Sequence, residues 1–164
     1  MPGASPPAQK PHVVIIGGGF GGLQAAKKLR HEPVEVTIID HNNFHLFQPM
    51  LYQVATGGLA PSDISIPLRA ILHKQKNTSV LMAEVTGIES QERQVCLDSG
   101  QTLHYDYLII ATGAGSNYFG HQEWAQLAPG MKSINDALTI RRMVLSAFEA
   151  AEREPDVSAP DCAG

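Results

Sequence analysis

Gly17, Gly19 and Gly22 form a GxGxxG spacing inside the stretch VVIIGGGFGGLQAAKKL. The apolar, β-branched run at 13–16 reads as a strand buried on both faces, and the residues after the glycines read as a helix. In that setting each glycine has a physical task. The first allows a tight turn, the second lets backbone approach a pyrophosphate, and the third lets the helix pack on the strand. Free N–H groups and the positive end of the helix dipole then meet anionic phosphates. Asp40 closes the next apolar run, at the distance where a carboxylate can accept hydrogen bonds from both hydroxyls of an adenosine ribose. The glycines could also serve a turn that merely needs positive φ, and Asp40 a strand-end turn. Strand, glycine turn, helix, strand and acid in that order favour a dinucleotide.

The elements that must hold these residues are compact. A helix over 21–31 carries Leu23, Ala26 and Leu29 on one side, and Lys27, Lys28 and Arg30 near the negative end of its dipole. Pro33 keeps it from continuing. A strand over 34–39 completes a βαβ unit with a parallel pair. Residues 41–63 form a long excursion, and a connection of this length in a compact domain is usually functional. Within it Pro49 can start a short helix over 49–56 that Gly57 and Gly58 end. Ser65 can cap a second short helix through Leu72, with Pro67 in its first turn. Strands are expected over 79–89, 93–97 and 102–105, with Asp98-Ser99-Gly100 as a hairpin turn. A buried-type strand is expected over 107–111. From Ser133 the pattern turns helical, with Ser133 and Asp136 in a capping-box spacing and Pro155 closing the helix. These readings give a disordered leader at 1–10, one α/β domain over 11–154 and a disordered tail at 155–164.

Composition removes several alternatives. A net charge of −4 with no basic stripe argues against a nucleic-acid partner. Apolar runs such as 108–111 are far too short to span a bilayer, and the N-terminus has no apolar signal core. The expected setting is therefore cytoplasmic. Cys96 and Cys162 form no CxxC pair, no zinc spacing and no disulfide framework, so no metal site is expected.

The glycine motif and acid do not separate FAD from NAD; the order of elements does. A simple NAD unit would continue with a helix and a third parallel strand soon after Asp40. Here the excursion is followed by hairpin-like strands and then DYLIIATGA. This order resembles the FAD domain of two-dinucleotide-domain flavoproteins, where an antiparallel β-meander replaces a crossover helix. DHNNFHLFQPMLYQVATGGLAPSDISIPLRAIL is similar to the corresponding stretch of type II NADH dehydrogenases, the non-proton-pumping NADH:quinone oxidoreductases. The FQPxLYQVAT-type segment is specific, and the resemblance runs from about Pro11 to Pro155.

The resemblance implies a Rossmann-like FAD-binding domain with a parallel sheet and a meander. It implies that Gly17, Gly19, Phe20, Gly21 and Gly22 wrap the FAD pyrophosphate and that Asp40 holds the ribose. Val85 would meet the adenine through its backbone. Gln48, Pro49 and Leu51 would approach the isoalloxazine side, and Ala111, Thr112 and Gly113 would line the ADP half. Pro49 and Leu51 could equally be helix-start and core residues. Phe44, Phe47 and Tyr52 read as packing groups, His41 and His45 as surface or turn histidines, and Arg69 as a solvated or salt-bridged residue.

In that family a second GxGxxG unit binds NADH, a later stretch returns to the ribityl side of FAD, and quinone and membrane contacts lie further on. The 164 residues contain one GxGxxG. The expectation is an N-terminal portion, from a truncated or frameshifted gene, that is inactive alone and has no catalytic residue of its own. NADH and quinone would be partners only of the intact enzyme, which is expected on the cytoplasmic face of the inner membrane. The alternatives are a non-catalytic FAD- or nucleotide-binding module, or a remnant of a sulfide:quinone or disulfide reductase-like flavoprotein.

Overall fold

The computed structural model describes residues 10–153, which divide into two compact units. The first takes the chain up to Leu46 and again from Ser65 to Ala114; the second takes Phe47–Ile64 and the chain from Gly115. The leader up to residue 9, Pro155, Cys162 and the tail lie outside the described residues.

In the first unit, β1 (His12–Ile16), β2 (Glu35–Asp40), β5 (Thr78–Met82) and β9 (Tyr107–Ile110) form a parallel sheet in the order β5-β2-β1-β9. The register sets Val14 opposite Thr37 and Leu108, and Ile38 opposite Val80. Successive strand residues face opposite ways, and both faces of β1 are covered. Val13, Ile15, Val36 and Ile38 pack with Leu23 and Ala26 of α1 (Phe20–Lys28) and with Leu68 and Leu72 of α3 (Leu68–Leu72). Val14, Ile16 and Ile39 face Val95, Leu97 and Tyr105 of the meander side. That meander is the antiparallel sheet β6 (Val85–Glu89), β7 (Gln94–Leu97) and β8 (Thr102–His104). A short antiparallel pair, β3 (Phe44–Leu46) with β4 (Ser65–Pro67), completes this unit.

The second unit is mainly helical. A 3-10 turn at Gln48–Met50 leads into α2 (Leu51–Ala55), and the Phe47 N–H donates to the Ile64 carbonyl at 2.8 Å, closing the excursion on itself. α4 (Trp124–Leu127) and α5 (Ile134–Arg153) follow, and α2 packs against α5. Ser133 starts α5 as expected. Its Oγ accepts the Asp136 N–H at 3.1 Å, and its own N–H donates to Asp136 Oδ2 at 2.9 Å.

Three expectations change. The run 79–89 is two strands, because Ala83 and Glu84 turn the chain out of the parallel sheet. The Ala83 N–H donates to the Asp40 carbonyl, and Glu84 and Asp98 then exchange hydrogen bonds that start the meander. Ser65 caps no helix: Ser65–Pro67 pairs with Phe44–Leu46, and α3 begins after Pro67. The strand near 107–111 is an edge, so Tyr107 and Ile110 are each 63% exposed instead of buried. The sequence reading also passes over β3 and α4.

Candidate functional site

The glycine turn is fixed at close quarters. Gly17 has φ +104°, its N–H donates to the Ile39 carbonyl at 2.7 Å, and a Cβ there would strike the Ala111 carbonyl. That φ costs an L side chain strain even before the collision. A Cβ on Gly22 would land on the Gly17 carbonyl oxygen and crowd Ile15. Gly22 therefore lets α1 lie against β1. Gly19 differs: it is exposed and a Cβ there would meet open space. It is the N-cap of α1, and its carbonyl accepts the first helical bond, from the Leu23 N–H at 3.0 Å. The Gly21 and Gly22 N–H groups, in the first turn, have no acceptor one turn back within the helix. No acidic residue stands in the first turn to oppose an anion.

Asp40, at the C-terminal end of β2, is tied into this turn. Its Oδ2 accepts the Gly18 N–H at 2.5 Å and its Oδ1 accepts the Asn42 N–H at 2.7 Å. The side chain is only 12% exposed, with His41 Nδ1 at 3.8 Å. Each carboxylate oxygen has a second lone pair, so these bonds leave acceptor capacity for hydroxyl groups. On the other side of β1, the Ala111 N–H donates to the Ile16 carbonyl at 2.8 Å, holding Ala111 beneath Gly17 and Gly21. Thr112 and Gly113 follow, both exposed, with Gly113 at φ +76°. Val85 opens β6, half-buried, three residues after Met82, the register partner of Asp40.

The structure thus gathers Gly17, Gly19, Phe20, Gly21, Gly22, Asp40 and Ala111 at the C-terminal ends of β1, β2 and β9. In open α/β sheets ligands bind beyond those strand ends. Gln48, Pro49 and Leu51 belong to the second unit. There Gln48 donates to the Lys132 carbonyl at 3.2 Å, Pro49 is exposed in the 3-10 turn, and Leu51 is 1% exposed. Arg69 is exposed, as expected of a solvated residue, and its guanidinium donates to the Val80 carbonyl at 3.0 Å. Two residues at the turn escape sequence reasoning. Gly18, the middle glycine, packs against Leu68, and His45 reaches the Gly18 carbonyl. The GGG run flags the first; no local pattern flags the second.

Residues 11–146 match the model of the pyridine nucleotide-disulphide oxidoreductase family, and the chain belongs to that family. It is 51% identical over 158 residues to the type II NADH:quinone oxidoreductase Ndh of Mycobacterium tuberculosis, covering 94% of this chain and 34% of that protein. The structure of NDH2 from Plasmodium falciparum in complex with NADH matches with a TM-score of 0.79 at 28% identity, over 92% of this chain and 32% of that one. The sulfide:quinone oxidoreductase of Aquifex aeolicus matches with a TM-score of 0.75 at 29% identity, over 85% and 32%. The chain spans about a third of the length of these relatives. Enzymes of this family depend on FAD, and NADH is the substrate of the type II group. The cradle fits the group: an open Gly19, a helix start without acid, and a carboxylate with acceptor capacity at the next strand end. Among the described residues no helix is long and apolar enough to cross a membrane, and no cluster of His, Cys, Asp and Glu could hold a metal.

Proposed function

We propose that residues 11–154 are the FAD-binding part of a type II NADH:quinone oxidoreductase. The observation that carries this is the joining of Gly18 to Asp40 at the ends of β1 and β2, in a sheet whose second face is covered by a meander. Gly17, Gly19, Phe20, Gly21 and Gly22 hold the pyrophosphate. Asp40 accepts from the adenosine ribose through its remaining lone pairs. Val85 meets the adenine, and Ala111, Thr112 and Gly113 line the ADP half. Gln48, Pro49 and Leu51 serve the isoalloxazine side. FAD, when bound, supplies hydride acceptance from NADH and electron delivery to quinone.

Hydride transfer needs the nicotinamide held against the flavin. The described residues hold one such phosphate turn, and NADH and quinone are read as partners of the full-length enzyme of this family, peripheral on the cytoplasmic face of the inner membrane. The test is to purify the chain, record its flavin absorption after loading with FAD, and assay NADH oxidation with a quinone. Bound flavin without turnover is expected. Robust turnover would overturn the assignment of this stretch as a binding part only. The likeness to the sulfide:quinone oxidoreductase supports a second reading. Cys96 lies in β7, within the meander, and offers no redox pair there. Sulfide-dependent reduction of the loaded flavin would favour that second reading.

A further inference from the structure

Gly18 is held from both sides by residues of different strands. Its N–H goes to Asp40 of β2, and its carbonyl accepts from His45 of β3, with Nδ1 at 3.1 Å. A carbonyl oxygen only accepts, so Nδ1 carries the proton. The imidazole also stands edge-on to the Phe20 ring, with centroids 4.9 Å apart and planes at 82°. His45 is half-buried in the β3–β4 pair, where its register partner is Ile66. Its ring is therefore oriented by strand pairing, by Phe20 and by Gly18 together.

The geometry points to His45 as a positioning residue for the phosphate turn: by holding the Gly18 carbonyl, it presents the Gly19 N–H to a pyrophosphate. In a trans peptide the carbonyl and the N–H of the following residue point in opposite directions. There is no cis peptide among the described residues. Drawing the Gly18 oxygen toward β3 therefore turns the Gly19 N–H away from it. Gly19 is exposed, and its N–H has no hydrogen-bond partner among the described residues. Without His45 the Gly18 carbonyl loses its hydrogen bond, and because neither flanking glycine has a side chain, less resists rotation of this peptide between the Asp40 and Leu23 anchors. The inference rests on the FAD reading for the identity of the ligand, not for the orientation of the peptide.

The experiment uses the full chain labelled with ¹⁵N, as wild type, His45→Phe and His45→Asn. The asparagine amide nitrogen stands in for Nδ1, whereas phenylalanine keeps the ring and loses the donor. Titration with sodium pyrophosphate is followed at the Gly19 amide, and FAD affinity by flavin fluorescence. His45→Phe is expected to lose the Gly19 response and to bind FAD about fivefold to tenfold more weakly, with His45→Asn within about twofold of wild type. Unchanged Gly19 response and FAD affinity in His45→Phe would overturn the proposal. Should that variant fail to fold, the imidazole nitrogen shifts of wild type decide: a neutral His45 protonated at Nδ1 supports it, and one protonated at Nε2 overturns it. A wild type that binds no FAD, yet shows a pyrophosphate response dependent on His45, would overturn the cofactor reading and support the positioning role.

Discussion

β1 of the first unit and α5 of the second bury their apolar residues to very different degrees. In the first, β1 is covered on both faces, with Val14 and Ile15 at 0% exposure, and the glycine turn at its end is held by Asp40, Ala111 and His45. In the second, the twenty-residue helix α5 has one buried residue, Ala137, while Leu145 and Phe148 remain 55% and 69% exposed. The comparison teaches that a backbone-built site needs a finished core beneath it. A one-residue error at the glycine turn would move the N–H groups that define it. Along α5 the apolar residues set no comparable geometry.

Substitutions can break or sharpen this contrast. Gly22→Ala should have the largest effect, because its Cβ meets the Gly17 backbone and not a movable side-chain end. About 3 kcal/mol of stability, or outright loss of soluble folded chain, is expected by urea unfolding. Ile38→Ala comes next at about 2–4 kcal/mol, since Ile38 is fully buried between α1, α3 and its sheet neighbours. Ser133→Ala should cost about 1 kcal/mol and fray the start of α5, read by helical circular dichroism. Phe148→Ser should change stability by less than about 0.5 kcal/mol. A large loss there would show that the Phe148 face of α5 is packed, and would erase the contrast.

The same helix start carries a pH dependence. Partial burial pushes the Asp136 carboxyl up, but the Lys132 and Ser133 N–H groups and the Ser133 hydroxyl outweigh it and hold it below the ordinary carboxylate value. The folded form binds its proton less readily than the unfolded form. Its contribution is therefore complete above about pH 4, the unfolded carboxylate value, and is lost as pH falls through the lower folded value. Asp136→Asn should flatten the acid limb of the α5 unfolding profile.

What could be read from the sequence was local. The positive φ of Gly17, the close packing of Gly22 and the Ser133–Asp136 box depend on residues within a few positions, so spacing reveals them. The break at Ala83 and Glu84 does not show in its own residues, because Asp40 and Asp98 set it from a distance. The exposure of Tyr107 and Ile110 depends on β9 being the edge of the sheet, a property of strand order. His45 is hidden for the same reason. Its hydrogen bond spans twenty-seven residues, and a histidine in a loop-rich stretch has no periodicity to mark it. The spacing of Asp40 from the glycines is readable in the sequence, but only the structure shows that its carboxylate anchors the turn through Gly18.

The central claim is that the Gly17–Gly22 turn with Asp40 forms a working half of a FAD site. Its most direct test is equilibrium titration of the purified chain with FAD, followed by flavin fluorescence, with ADP as competitor. The account predicts saturable binding at one site, displaced by ADP and weakened in Asp40→Asn. Failure of ADP to compete, or equal affinity in Asp40→Asn, would contradict it.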